Sequence, residues 1–372
     1  LDNLKTFRAT RQLEGVGQQP FLDTYHAVEM EVEAVEWPLD GPAVTFRRLT
    51  SDRPEPAAFR SLDCFESDVY DQMMGIDPIH PLAELARFMA RTELTSFSSD
   101  QYADFLGLQE EQARMLLIGL TNAGYVDLDI STRMCEVKPR AERHIKARKG
   151  VIDHDVLAFY SNPLHSPTNA VLSLNNKRLA LKGIGRFGVS EAQDVKIIPS
   201  GGELTLGENR SFEFDGVIQA GKFELSGASF AFDYDSFKLE VKMAESLRIK
   251  AEVDGKFDAY GKPLLRWVES TIEEVTGTLE IDHPNNKSGW KSDRYTQYPI
   301  LTSREVSHVY YDADMICRGA YHRDDFNYAV DPFVIDSLDN FKKEDLVFEG
   351  ELLAGGIVPD LVEPLRLMED YS

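Results

Sequence analysis

Hydrophobic and polar positions alternate most strictly between Phe212 and Met243, and the rest of the chain is organised around that stretch. Phe212, Phe214, Gly216, Ile218 and Ala220 share one side of an extended run, with Glu213, Asp215 and Gln219 on the other. Phe223 and Leu225 repeat the pattern, followed by Phe230, Phe232 and Tyr234, and then by Phe237, Leu239 and Val241 alternating with Lys238, Glu240 and Lys242. Such alternation is that of half-buried strands. Gly221, Gly227 and the tract Asp233 to Ser236 are read as breaks between four short runs.

Upstream, Val28, Met30, Val32 and Ala34 alternate with Glu29, Glu31 and Glu33, and a turn over 37–42 leads to a returning strand at 43–47. The acidic side of this hairpin reads as a solvated face, with a carboxylate-lined metal or sugar site as the sharper alternative. From 81 to 137 the period lengthens. Leu82, Leu85, Phe88 and Met89 form a helical stripe behind Pro81. Ser98 and Gln101 make a capping box for a second helix that ends near Gly107. A third helix over 109–123 carries Ala113, Leu116, Leu117 and Leu120, with Gly124 to stop it and a hairpin at 125–129 and 134–137 behind it.

Strand patterns resume at 156–160, 170–174, 178–182, 195–199, 203–206 and 246–253. The segment 264–279 permits either a helix or a strand. Turn signals recur about every eight to twelve residues, as in all-β architectures. The expected fold class is α+β and mainly β: a β-solenoid or open β-jelly-roll body with a small domain of three helices plus a β-hairpin. The expected divisions are 1–80, β or irregular; 81–150, helical with a basic linker; 151–283, the solenoid or jelly roll; and 284–372, a β-rich continuation. A further alternating run at 346–352, so close to Ser372, is read as a new rung of a longer protein, and a start at Leu1 without a leader as a mature piece or fragment.

Three helices closed by a hairpin resemble the winged helix-turn-helix family, which sets its third helix in the DNA major groove. The outward positions of that helix here are Glu110, Glu111, Arg114, Thr121 and Asn122, and the two leading carboxylates repel phosphate. A basic run follows: Lys138, Arg140, Arg143, Lys146, Arg148 and Lys149. It reads first as an exposed linker helix that docks on acidic neighbours of its own chain, and second as a phosphate contact. Arg114, Arg140, Arg143 and Lys146 are the candidate interaction residues.

Composition narrows the function classes. The net charge of -23 opposes non-specific binding to nucleic acid or anionic lipid. Hydrophobic content of 42% is that of a globular chain, and no apolar run reaches membrane-span length. Cys64, Cys135 and Cys317 form neither a CxxC motif nor a Cys-His cluster.

Several patterns carry possible chemistry. Gly183 to Gly188 matches G-x-G-x-x-G, but strand-like sequence follows where a dinucleotide site needs a helix, so the glycines read as turn residues. The pairs Asp233/Asp235, Asp312/Asp314 and Asp324/Asp325 would suit acid–base cleavage of a polysaccharide, and more often form turns. The loop Asp282 to Ser288 offers calcium-type oxygens or a simple turn. Tyr310, Tyr311, Tyr321, Phe326 and Tyr328 would stack on sugar rings if exposed. No catalytic, cofactor or metal residue is assigned.

The blocks EFDGVIQAGKFELSG, FAFDYDSFKL, IDHPNNKSG, VYYD and VIDSLDNF resemble very large uncharacterised proteins of the Bacteroidetes group. The β-rich stretch is also similar to strand repeats of lipopolysaccharide-transport domains. The first resemblance implies a segment of a long envelope or surface protein and supplies no catalytic residue. The expected function is therefore non-enzymatic: a structural or interaction segment, its helical module contacting a protein partner or the rest of its own longer chain, with nucleic acid disfavoured. The alternatives are a winged-helix DNA-binding regulator with a β-rich sensing domain, and a polysaccharide-binding or polysaccharide-cleaving β-solenoid with glycan as partner.

Overall fold

The structure is a computed structural model that describes residues 5–11, 18–49, 56–74, 79–164, 167–313, 318–342, 344, 346–356 and 359–367. Cys317 and Asp314 lie outside the described residues. The described chain is mainly β, with large antiparallel sheets and no closed barrel. It divides into two compact units, one of Leu1–Gly185 with Leu206–Arg210, the other of Arg186–Thr205 with Ser211–Ser372.

In the first unit, Val28–Glu31 lies between Phe21–Asp23 and Ala57–Ser61, and Ala158–Ser161 completes a four-stranded antiparallel sheet. A second sheet runs Thr6–Thr10, Ala34–Pro38, Ala43–Arg47, Thr168–Ser173, Arg178–Leu181. The expected hairpin of 28–34 with 43–47 is thus corrected. The chain leaves one sheet at Val32–Glu33 and joins the other, so Ala34–Pro38 is the strand that pairs with Ala43–Arg47. Glu33 fixes the crossing: its buried carboxylate accepts the Leu49 amide at 2.7 Å and faces Arg48 at 3.5 Å.

The helical part follows its periodicity closely. Helix α1 (Ser67–Gln72) has too short an apolar pattern to be foreseen, whereas α2 (Pro81–Thr92) carries Leu82, Leu85 and Phe88 inward. Helix α3 (Ser99–Leu106) starts at the Ser98–Gln101 capping box and ends at Gly107, φ 68°. Helix α4 (Glu110–Asn122) is followed by Val126–Asp129 and Met134–Val137, which pair, and Ser96–Ser98 adds a third strand. Phe88 is central to the core, its ring 4.5 Å from Phe97 and 5.3 Å from both Tyr102 and Phe105. Thr121, expected outward, is fully buried; its hydroxyl donates to the Leu117 carbonyl at 2.7 Å, so burial costs no unmet hydrogen bond. Helix α5 (Pro139–Arg148) is not an exposed linker, because Ala141, His144 and Ala147 are buried.

The second unit is a meander. Phe187–Ser190, Val195–Pro199, Phe212–Ala220, Phe223–Asp233, Lys238–Phe257, Val275–Glu280, Ile300–Ser303 and Val334–Ile335 pair in that order, all antiparallel. The four short runs are therefore three long strands lying side by side in one sheet. Gly227 is not a turn but sits mid-strand at a register shift, where a Cβ would come 2.9 Å from the Met243 carbonyl oxygen. The alternating face is the core: Phe212 stacks on its cross-strand partner Phe232 at 4.6 Å, and Phe214 meets Phe230 at 5.3 Å. The ambiguous segment 264–279 contributes strands Pro263–Trp267 and Val275–Glu280. Ser307–Tyr310, Phe326–Val330 and Gly350–Ala354 form a smaller sheet.

Candidate functional site

The candidate site is on the helical module. Pro139 opens α5 at a first-turn position, Glu142 sits near the positive end of the helix dipole and Lys146 and Arg148 near the negative end, so the helix is favoured locally. Its basic residues turn back on the chain's own acids. Arg140 binds the Glu29 carboxylate and lies 5.1 Å over the Tyr125 ring. Arg143 faces Asp63 at 3.9 Å, Lys146 bonds Glu142 at 3.1 Å, and Arg148 reaches Asp71 at 3.1 Å. Glu31 is taken by Arg60 at 2.6 Å. The acidic side of 28–31, expected to be solvated, is instead half-buried, because cations remote in sequence neutralise it. Arg114 is half-buried on α4, and Glu110, at the start of that helix, pairs with Arg133 at 3.3 Å.

Between α1, α2 and α5 a groove of about 780 Å³ opens. Ala83, Ala86 and Ala90 line it from α2, with Ile145, Met74 and Tyr70 beside them and Arg87, Arg148 and Lys149 at its rim. His80 braces one end: its ring stacks on Tyr70 at 3.9 Å, one nitrogen lies 2.7 Å from the Tyr70 carbonyl oxygen, and Nδ1 accepts the Leu82 amide at 3.1 Å. The alanine spacing was visible in the sequence, but α1, which closes one side, was not.

Under α5, His144 is buried against Phe65, 5.4 Å away edge to face, and its Nδ1 lies 3.0 Å from the Tyr125 hydroxyl. Burial, and then the Arg140 and Arg143 cations, push its pKa down to about 3. Burial raises the Cys64 thiol well above its usual range and Cys135 to about 12, so neither is held as a thiolate.

The other sequence candidates separate clearly. Gly183 sits at φ +67°, where a Cβ would lie 2.3 Å from the Pro163 nitrogen, and a strand begins at Phe187. Asp233 and Asp235 do not share a strand face, since the strand ends at Asp233 and a turn follows; Asp233 accepts the Ser236 amide at 2.7 Å. Asp312 is bound by Arg323 at 3.0 Å, and Asp324 and Asp325 lie in an exposed turn. The buried Asp282 carboxylate accepts the His283 amide at 2.6 Å, Gln193 at 2.8 Å and Asn286 at 3.0 Å, which makes it a loop lock. Among the described residues no group of three His, Cys, Asp or Glu is arranged to hold a metal ion.

Tyr310, Tyr311 and Tyr328 do line a common cleft of about 830 Å³ in the second unit. Their rings are engaged, however. Tyr310 has the Arg323 guanidinium 3.9 Å from its centre and stacks with His308 at 5.5 Å; Tyr311 packs edge-on to Phe326, on which Tyr321 stacks at 4.3 Å. The Tyr328 hydroxyl accepts the Leu365 amide at 3.1 Å and lies 2.7 Å from the Glu363 carbonyl oxygen.

No protein-family model, curated protein or solved structure matches the chain. No helix among the described residues is long and apolar enough to cross a membrane.

Proposed function

We propose that the chain is a non-enzymatic structural and interaction segment of a larger envelope or surface protein. In this reading the helical module is of winged-helix type and contacts a protein through the α1–α2–α5 groove. The β-rich body, an open antiparallel meander rather than a solenoid, is the rigid part; pairing between successive strands supports the open form and weighs against the Greek keys of a jelly roll. One observation carries the protein-contact reading. Arg140, the most central of the basic residues that would have met phosphate, is held by Glu29 in a largely buried pair, and Arg143, Lys146 and Arg148 face Asp63, Glu142 and Asp71 of their own chain, while an apolar groove stays open beside them.

The DNA-regulator alternative needs α4 to enter a major groove. Glu110 and Glu111 stand at its leading end, which opposes that approach. The glycan alternative needs free aromatic faces, and the engagement of Tyr310 and Tyr311 weighs against it. The test is a gel shift with random duplex DNA at low and moderate salt. No shift is expected. A salt-sensitive shift lost in an Arg114→Glu, Lys146→Glu variant would overturn the reading in favour of the regulator; these two sites leave the Arg140 contact intact.

A further inference from the structure

The groove also indicates the chemistry of its occupant, an inference that rests on the protein-contact reading above. Ala83, Ala86 and Ala90 recur at spacings of three and four on one face of α2. Side chains this small leave the helix backbone near the surface, so a second helix can pack at about 8–10 Å between axes. Met74, which is 41% exposed, brings an unbranched chain that adapts to what it meets.

Charge then selects among partners. The rim carries Arg87, Arg148 and Lys149 against a single lining carboxylate, Asp71, in a chain whose net charge is -23. Arg87 pairs with Glu84 of its own helix and Arg148 with Asp71, but the two arginine side chains are 63% and 48% exposed. Exposed pairs of this kind hold only weakly, so incoming carboxylates can take the cations over. A basic partner would meet three like charges at this rim; an acidic one would meet repulsion nearly everywhere else on the chain.

We infer that the groove binds an amphipathic helix of a partner protein, its apolar stripe lying across Ala83, Ala86 and Ala90 and its flanking Asp or Glu residues meeting Arg87, Arg148 and Lys149. The full chain is titrated, by fluorescence anisotropy, with two labelled peptides of about 15 residues that share one leucine stripe. One peptide is flanked by Glu and the other by Lys. The Glu-flanked peptide is expected to bind about tenfold more tightly and to weaken as salt rises. It should lose about tenfold in the Arg87→Glu, Lys149→Glu variant and more in Ala86→Arg, which fills the floor with a good helix former. Both variants change partly or fully exposed positions, and an unchanged far-ultraviolet circular dichroism spectrum checks that each folds.

Preference for the Lys-flanked peptide, still sensitive to Ala86→Arg, would overturn the inference and leave the protein-contact reading standing. Absence of binding, or binding indifferent to Ala86→Arg, would overturn the inference. Concentration-dependent self-association abolished by Ala86→Arg would assign the groove to a second copy of this chain and overturn it equally. The protein-contact reading itself falls to the duplex-DNA result described above.

Discussion

Acidification should destabilise the first unit through His144. The imidazole is buried between Phe65 and Tyr125, with Arg140 and Arg143 close by, and its pKa is held near 3 against an ordinary 6.5. Nδ1 lies 3.0 Å from the Tyr125 hydroxyl, and a fully protonated ring would have no acceptor to offer it. A group whose folded pKa lies below its unfolded one contributes stability that is complete above pH 6.5. That contribution is lost as pH falls from 6.5 towards 3. Between pH 7 and pH 5 the unfolded histidine gains its proton while the native one does not, over 1.5 units of about 1.36 kcal/mol each, a loss of about 2 kcal/mol. His154, also lowered by burial, acts in the same direction. The assay is urea unfolding of the wild type and of His144→Gln at both pH values. The variant keeps a polar side chain but does not titrate, so its loss between pH 7 and pH 5 should be smaller by about 2 kcal/mol, the His154 contribution cancelling in the comparison. Isotope-edited NMR on labelled histidine gives the pKa directly. A ring that titrates near 6.5, or equal pH losses in the two proteins, would refute the reasoning.

Three further outcomes are expected. Phe88→Ala should cost about 3–5 kcal/mol in chemical denaturation, because a fully buried ring in contact with Phe97, Tyr102 and Phe105 leaves a cavity that the helices cannot close. Ser98→Ala should cost about 1 kcal/mol and speed hydrogen exchange at the first turn of α3, since the Ser98 hydroxyl caps the Gln101 amide at 3.3 Å. Gly277→Ala should cost at least about 2 kcal/mol, measured by thermal unfolding, because its φ is +156° and a Cβ would lie 1.9 Å from the Thr302 carbonyl oxygen.

Local signals were legible wherever one element could satisfy its own groups. The Ser98–Gln101 box, the stripe of Leu82, Leu85 and Phe88 and the stop at Gly107 each act within a turn or two, and each element stands where its pattern put it. Alternation likewise identified the buried face of Phe212–Ala220. Glycine was more ambiguous. Gly221 is a turn residue at φ 57°, whereas Gly227 lets two strands approach closely, and that difference depends on which backbone lies opposite. Asp233 and Asp235 stand in a turn, as such pairs more often do: period two holds only while the chain stays extended, and it turns at Asp233.

The sequence by itself determined the mainly-β class, the helical module and, outside α1 and the segment 264–279, most element types, because these follow from propensity and periodicity over short spans. Only the tertiary structure decided that Arg140 meets Glu29 and Arg60 meets Glu31, that Tyr310 meets Arg323 and His308, and that α1 and α5 frame a groove over three alanines of α2. Those facts depend on register between segments up to a hundred or more residues apart. A charge or an aromatic ring has the same letter whether its partner is water, a ligand or its own chain, and folding alone chooses among them.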